Sequence, residues 1–315
     1  ESQLNFFQGF PNIALHLHEV SIGSLFKGKS LYLLIPIHEV IMKKYKIKKI
    51  IIEDAHFEVI NNPPDIINYN ILKKQEQTNK DFDLDIDEII IKNSSLSYMT
   101  KDKNVKVDDL NTKVGLQLIN NTLMLKMRGD LNSKHIILNK TYYYREYPFQ
   151  FMGNMEYYFK EDSISTEAFK LIYNKSDLNI KGYTAAISSD SRVDINIEGK
   201  AIAYDVVNSM LTGVKVSFLN LTDINGSVDF NLDIKGSLQK SQAAINAGFE
   251  LKKAEIKGQS LISQISLKGE FHMGDSINTK LKSFSFLMNQ EPINGYLNIK
   301  GIKDPIVELH LEGKL

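Results

Sequence analysis

One pattern constrains this chain more than any other: segments in which apolar and polar residues alternate and which close on a charged residue and a glycine. It ends "DLNIKG" (177–182), "DINIEG" (194–199), "NLDIKG" (231–236), "QISLKG" (264–269), "NGYLNIKG" (294–301) and "ELHLEG" (308–313). Val228, Phe230, Leu232 and Ile234 share one parity, whereas Asp229, Asn231, Asp233 and Lys235 share the other. Val193, Ile195 and Ile197 repeat this, as do Ile265, Leu267, Phe271 and Met273, and then Val307, Leu309 and Leu311. A period of two is that of a β-strand, whose successive side chains point to opposite faces. Each such strand has an apolar and a polar face, which suits an antiparallel sheet wetted on one side.

The glycines refine this reading. Gly199, Gly236, Gly269, Gly301 and Gly313 fall on the apolar parity of their own strands, and in "INGYLNIKG" that parity runs unbroken through Ile293, Gly295, Leu297, Ile299 and Gly301. Asn294-Gly295 therefore reads as strand, despite the preference of Asn-Gly for hairpin turns. Missing side chains on the apolar face leave room for the sheet to bend or for another backbone to approach. The spacings from Gly199 to Gly236, Gly269 and Gly301 are 37, 33 and 32 residues, too irregular for a solenoid and suited to a meander of hairpins.

Composition narrows the class. The 315 residues are 43% hydrophobic and carry 38 basic against 38 acidic side chains. That supplies a core and lacks the basic excess of a nucleic-acid binder. Cysteine is absent, which removes disulfides, thiolate metal sites and cysteine nucleophiles and fits a periplasm, although many cytosolic chains lack it too. The longest apolar run, "LYLLIPI" (31–37), is far short of the about 20 residues that span a bilayer. Helices are expected only at "IPIHEVIMKK" (35–44) and "AYDVVNSMLTG" (203–213). The polar stretch 73–81 reads as a linker or loop, separating an N-terminal strand–helix–strand part (1–72) from a second segment (82–315).

Candidate chemistry is sparse. Asp81, Asp83, Asp85 and Asp87 share a strand face, but an EF-hand starting at Asp81 would need Gly and Glu where Ile86 and Lys92 stand. Alternation against Phe82, Leu84 and Ile86 explains them as a solvated face. His16 and His18 share a face too, with no third zinc ligand nearby. The aromatic stretch from Tyr142 to Phe151 reads as strand packing. No catalytic fingerprint occurs in its required context. The expectation is a non-enzyme without metal or cofactor.

The succession from about residue 193 resembles the C-terminal region of the AsmA family of bacterial envelope proteins. The residues that carry it are "VDINIEGKAIAYDVVNSMLTG", "INGSVDFNLDIKGSLQKSQAAINAGFELKKAEIKG", "ISQISLKGEFHMG" and "INGYLNIKGIKDPIVELHLEGKL". The segment 20–62 is similar to that family's early strand–helix–strand unit. The resemblance implies a long curved sheet forming a U-shaped, taco-like groove with an apolar interior. It also implies tethering to the bacterial inner membrane, facing the periplasm, through an anchor upstream of residue 1. The implied role is non-enzymatic lipid transport in outer-membrane biogenesis, with phospholipid or another envelope lipid as partner. The residues expected to line the groove are Phe230, Leu232, Ile234, Leu267, Phe271, Phe284, Phe286, Leu297, Ile299 and Leu309. The alternative is a scaffold module of the envelope, a β-sandwich with no lipid ligand.

Overall fold

The computed structural model describes residues 2–5, 11–42, 47–62, 66–67, 86–100, 103–138, 141–144, 147–173, 175–185, 192–203, 224–237, 244–256, 262–273, 277–301 and 306–313. The chain is all-β and mainly antiparallel, as its alternation predicts. It divides into two compact units, Glu1–Asn154 and Met155–Leu315.

The first unit contains β1 (Ser2–Asn5), β2 (Asn12–Ile22), β3 (Phe26–Pro36), α1 (Ile37–Ile41), β4 (Lys49–Asn62), β5 (Ile66–Ile67), β6 (Glu88–Met99), β7 (Lys103–Ile119), β8 (Thr122–Leu138) and β9 (Thr141–Tyr144), with β10 (Tyr147–Tyr158) crossing the boundary. Strands β1 to β4 are antiparallel neighbours, as are β6 to β9. Between the two sets, β4 and β6 pair in parallel from Lys49 opposite Glu88 to Ile60 opposite Met99. A parallel pair needs a crossover of a dozen residues or more, and residues 63–87 supply it. The polar stretch 73–81 lies in this crossover and outside the described residues. It joins neighbours in one sheet, and the division into compact units falls instead at 154/155.

α1 forms within the stretch predicted to be helical, directly after Pro36, whose missing N–H cannot continue the ladder. Met42 N–H donates to the His38 carbonyl at 3.0 Å. The second predicted helix, 203–213, lies outside the described residues except for Ala203.

A polar seam crosses this unit. Glu19, Asp54, Asn93 and Asp109 have left-handed backbone, with φ of 51°, 51°, 45° and 49°. Asp and Asn tolerate this conformation because their short side chains bond locally. Asn93 Nδ2 donates to Asp54 Oδ1 at 2.5 Å, and the Asn93 backbone N–H to Asn111 Oδ1 at 2.9 Å. Asn111 Nδ2 in turn donates to the Asp109 carbonyl, and Asn132 Nδ2 to Asp109 Oδ2. The apolar parity changes at this seam. In β4 it passes from Ile50 and Ile52 to Ala55, Phe57 and Val59, and in β3 from Leu31 and Leu33 to Gly28 and Phe26. In β4 the left-handed Asp54 re-aims the strand, so alternation restarts beyond it, and β3, which has no left-handed residue, changes in register with it. Past the seam, Phe26, Ala55 and Val107 are buried, with the Phe26 and Phe57 ring centroids 5.2 Å apart.

The second unit is a meander of β11 (Ser163–Tyr173), β12 (Ser176–Ala185), β13 (Arg192–Ile202), β14 (Ile224–Ser237), β15 (Ala244–Ile256), β16 (Ile262–Met273), β17 (Ile277–Met288), β18 (Glu291–Lys300) and β19 (Ile306–Gly313). Each pairs antiparallel with the next. Asn294 and Gly295 lie inside β18, as their parity predicts. Gly301 departs from the expectation: it lies just past β18 with φ of 90°, a conformation glycine adopts without a Cβ clash. The β17–β18 hairpin turns at Asn289-Gln290, with φ of 53° and 71°, both positive as a type I′ turn requires.

Candidate functional site

Register decides which side chains share a face, because directly opposite residues of an antiparallel pair project to the same side. From β13 to β14, Ile195 faces Ile234, Ile197 faces Leu232 and Gly199 faces Phe230. Phe230 then faces Phe249, Leu232 faces Ala247 and Ile234 faces Ile245 in β15. Ala247 faces Phe271, Phe249 faces Gly269 and Leu251 faces Leu267 in β16. Leu267 faces Phe284 and Gly269 faces Leu281 in β17, across a register shift that keeps both residues on the row. Phe286 faces Ile293, Phe284 faces Gly295 and Leu281 faces Leu297 in β18. Leu297 faces Leu309 and Ile299 faces Val307 in β19. All ten residues singled out from the sequence therefore stand on one apolar face that runs without a break from β13 to β19.

Nine of the ten are half-buried, neither enclosed in a core nor open to solvent. Leu309 differs, with 57% of its surface exposed. It is on the expected face but not shielded there, as all eight residues of β19 are exposed.

The glycines of this face are not gaps. A Cβ on Gly269 would lie 2.5 Å from Phe249 Cζ and 2.9 Å from Leu281 Cδ2, and one on Gly295 would lie 2.7 Å from Phe284 Cζ. Each phenylalanine ring lies over the glycine of a neighbouring strand. The backbone approach that the sequence suggested is present as well, since a Cβ on Gly295 would lie 2.1 Å from the His310 carbonyl oxygen and one on Gly199 2.1 Å from that of Asp177. Cross-strand aromatics of this kind pin register and cover glycine.

The opposite face is polar. Lys235 pairs with Asp194 at 3.2 Å and Lys252 with Asp229 at 3.5 Å, while Asn196 Nδ2 donates to Asn231 Oδ1 at 2.8 Å and Asp233 Oδ1 at 2.9 Å. Such exposed pairs add little stability individually. Where Lys253 (φ 49°) and Gln264 (φ 52°) interrupt β15 and β16, a depression of about 610 Å³ opens. Leu251, Leu267 and Phe284 line it together with Lys252, Lys253, Lys268, Ser266 and Ser283.

The first unit holds a second apolar row that sequence reasoning missed. Leu31 and Leu33 face Ile52 and Ile50, which pair with Ile91 and Ile89. These face Thr112 and Val114, and Val114 faces Met127. Apart from Thr112, which is buried, these residues are half-buried. The signal was hidden by the runs Ile50-Ile51-Ile52 and Ile89-Ile90-Ile91, which contain no polar residue to mark the alternation.

His16 and His18 share a face, with ring centroids 3.7 Å apart, and His16 stacks on Tyr32 at 4.0 Å. Burial, and then the neighbouring His18, push the His16 pKa below its ordinary value, against the smaller opposing effect of Glu53. Glu53 is engaged by Lys92 at 2.8 Å. Asp87 pairs with Lys48 at 3.5 Å, while Asp81, Asp83 and Asp85 lie outside the described residues. Among the described residues, no three His, Cys, Asp or Glu side chains gather where they could hold a metal. No described helix is long and apolar enough to cross a membrane.

No family model matches the chain, and no curated protein or solved structure is significantly similar to it.

Proposed function

We propose that the chain is a non-enzymatic lipid-binding or lipid-transport protein of the bacterial cell envelope, tethered to the inner membrane and serving outer-membrane biogenesis. The observation that carries this reading is the apolar face from β13 to β19, broad, continuous and only half-buried. A face of this kind gains by taking acyl chains, at about 0.8 kcal/mol per buried methylene.

The half-burial of the row favours this reading over a scaffold sandwich. In a sandwich the inner-face residues interdigitate with those of a second sheet and are enclosed. Phe230, Leu232, Phe271 and Phe284 are not enclosed in this way. The AsmA resemblance of the sequence points to the same function.

Native mass spectrometry of protein purified from bacterial envelope tests the proposal. Co-purifying phospholipid is expected, and its loss in folded Leu232→Asp. Lipid-free wild-type protein, or equal loading in wild type and the folded variant, would overturn it.

A further inference from the structure

The β7–β8 hairpin ends in a tip whose chemistry neither apolar row explains. Asn120 and Asn121, with φ of 47° and 64°, close it as a two-residue turn. β6 accompanies β7 only as far as Glu88 opposite Gly115, and the Leu116 N–H donates to the Asp87 carbonyl at 2.9 Å. Residues 116–125 run on past the described end of that neighbour. Register makes both faces of the tip apolar. Leu116 faces Leu125 and Leu118 faces Leu123 on one side, while Ile119 and Met124 stand on the other. Leu118 is 66% exposed, Ile119 43% and Met124 38%. A sheet wetted on one side shows polar residues to water there, whereas this tip shows large apolar groups on both faces.

The charges behind the tip have one sign. From 113 to 128 the chain carries Lys113, Lys126 and Arg128 and no acidic residue, although its total is balanced at 38 basic and 38 acidic side chains. Lys113 lies opposite Arg128 and Lys126 opposite Gly115, so all three share the face of Met124. Lys113 is held by Glu88, whereas Lys126 and Arg128 are exposed. A strand rises about 3.4 Å per residue, which puts Lys126 about 7 Å and Arg128 about 14 Å behind Met124.

We propose that this tip inserts into the surface of an anionic lipid bilayer, with Leu118, Leu123, Ile119 and Met124 among the acyl chains and Lys126 and Arg128 at the phosphates. Amphipathic elements in such an interface bury their apolar side about 5–10 Å deep, the depth at which Lys126 meets the headgroups. Long cationic side chains keep their stems in apolar surroundings and their heads in the polar layer. The backbone groups of the turn need polar partners, so the hairpin enters the interface without spanning the bilayer. A protein groove would also take an apolar tip, but three cations with no acid among them select an anionic surface. The inference stands on the hairpin alone and does not need lipid on the β13–β19 row.

Vesicle flotation of the chain tests it, with phosphatidylglycerol and phosphatidylethanolamine against phosphatidylcholine alone. Wild type should bind the anionic vesicles, and less so as salt screens the cations. Leu118→Asp, at an exposed position and with circular dichroism unchanged, should lower binding about tenfold, the contribution of one buried leucine. Lys126→Gln and Arg128→Gln should each lower it about fivefold on anionic vesicles and leave phosphatidylcholine binding unchanged. The chain has no tryptophan, so Leu118→Trp reports depth. Its emission should shift to the blue and be quenched by brominated acyl chains, whereas that of Tyr183→Trp, also at an exposed position, should do neither. Wild type that ignores anionic vesicles, Leu118→Asp that binds them equally well, or equal quenching at positions 118 and 183 would overturn the proposal. Self-association that Leu118→Asp abolishes, without vesicle binding, would do so too by assigning the tip to a second copy.

Discussion

The two units solve one problem with different chemistry. Each carries an apolar row across a largely antiparallel sheet, and each interrupts its strands with left-handed residues. In Glu1–Asn154 the row is aliphatic, built from Leu31, Leu33, Ile50, Ile52, Ile89 and Ile91, and the interruption is a connected Asp/Asn seam. In Met155–Leu315 the row alternates phenylalanine with glycine, and the interruption rests on Gly226, Lys253 and Gln264. Branched aliphatics fill most of the first unit's row, and where it reaches Gly129, opposite Thr112, the Phe151 ring lies 2.9 Å from where a Cβ would stand. A row containing glycine needs a ring from the next strand to fill it, so its register is fixed by shape. The comparison teaches that a ring over glycine serves both rows, and that the first adds a mainly aliphatic surface and a connected polar seam.

The strongest test of the comparison asks whether both rows take lipid. An unpaired charge in an apolar environment costs about 1–3 kcal/mol or more. Leu232→Asp in the second unit and Ile52→Asp in the first are each expected to lower lipid loading severalfold, measured by native mass spectrometry on variants that keep wild-type circular dichroism. A loss confined to Leu232→Asp would show that the rows are alike in composition and unlike in use. Asp233→Asn, on the polar face, should change loading little.

Next in size is the packing contrast. Gly269→Ala forces a methyl against Phe249, Leu281 and the Lys280 carbonyl, all within 2.9 Å. Overpacking of this kind costs about 1–3 kcal/mol, read as a drop in urea midpoint. Gly115→Ala in the first unit, on the face opposite its row beside Lys126, meets nothing nearer than 3.8 Å and should instead stabilise by about 0.4–1 kcal/mol. Similar destabilisation by both changes would mean that the ring over Gly269 is not what makes that position intolerant.

A smaller effect separates the two interruptions. Lys253 holds φ of 49° without the local bonding that Asp or Asn side chains provide, so Lys253→Gly should raise stability by about 1 kcal/mol. Asn93→Gly in the seam forfeits the bond to Asp54 and should gain nothing. Thermal unfolding of the two variants against wild type decides this.

The smallest effect is one of pH. Folding lowers the His16 pKa, so the unfolded chain binds this proton more readily and stability falls as pH drops through the ordinary value of 6.5. His16→Gln should flatten that dependence, as seen in urea unfolding on either side of pH 6.5. An unchanged slope would assign the proton uptake elsewhere.

Much of the fold was legible in the sequence because alternation with period two is a direct record of which residues share a face. Parity put Phe230, Leu232, Phe271, Phe284 and Leu297 each on the apolar face of its own strand, and the register joins those faces into one row. The first unit's row was illegible where isoleucine runs erase the contrast. The parallel pairing of β4 with β6 was hidden as well, since nothing in an alternating strand states which neighbour it will meet.

What the sequence determined by itself was local: strands with one apolar face, glycine at fixed places on that face, and an Asn-Gly pair kept in strand by its parity. Tertiary structure decided what neighbours do to those choices. It set Phe249 over Gly269 and Phe284 over Gly295, aligned Asp54 with Asn93 into a seam, and left Leu309 exposed. The physical reason is that alternation is written by the strand's own pleat. Cover, register and edge are settled by residues distant along the chain, brought within a few ångströms only when the sheet forms.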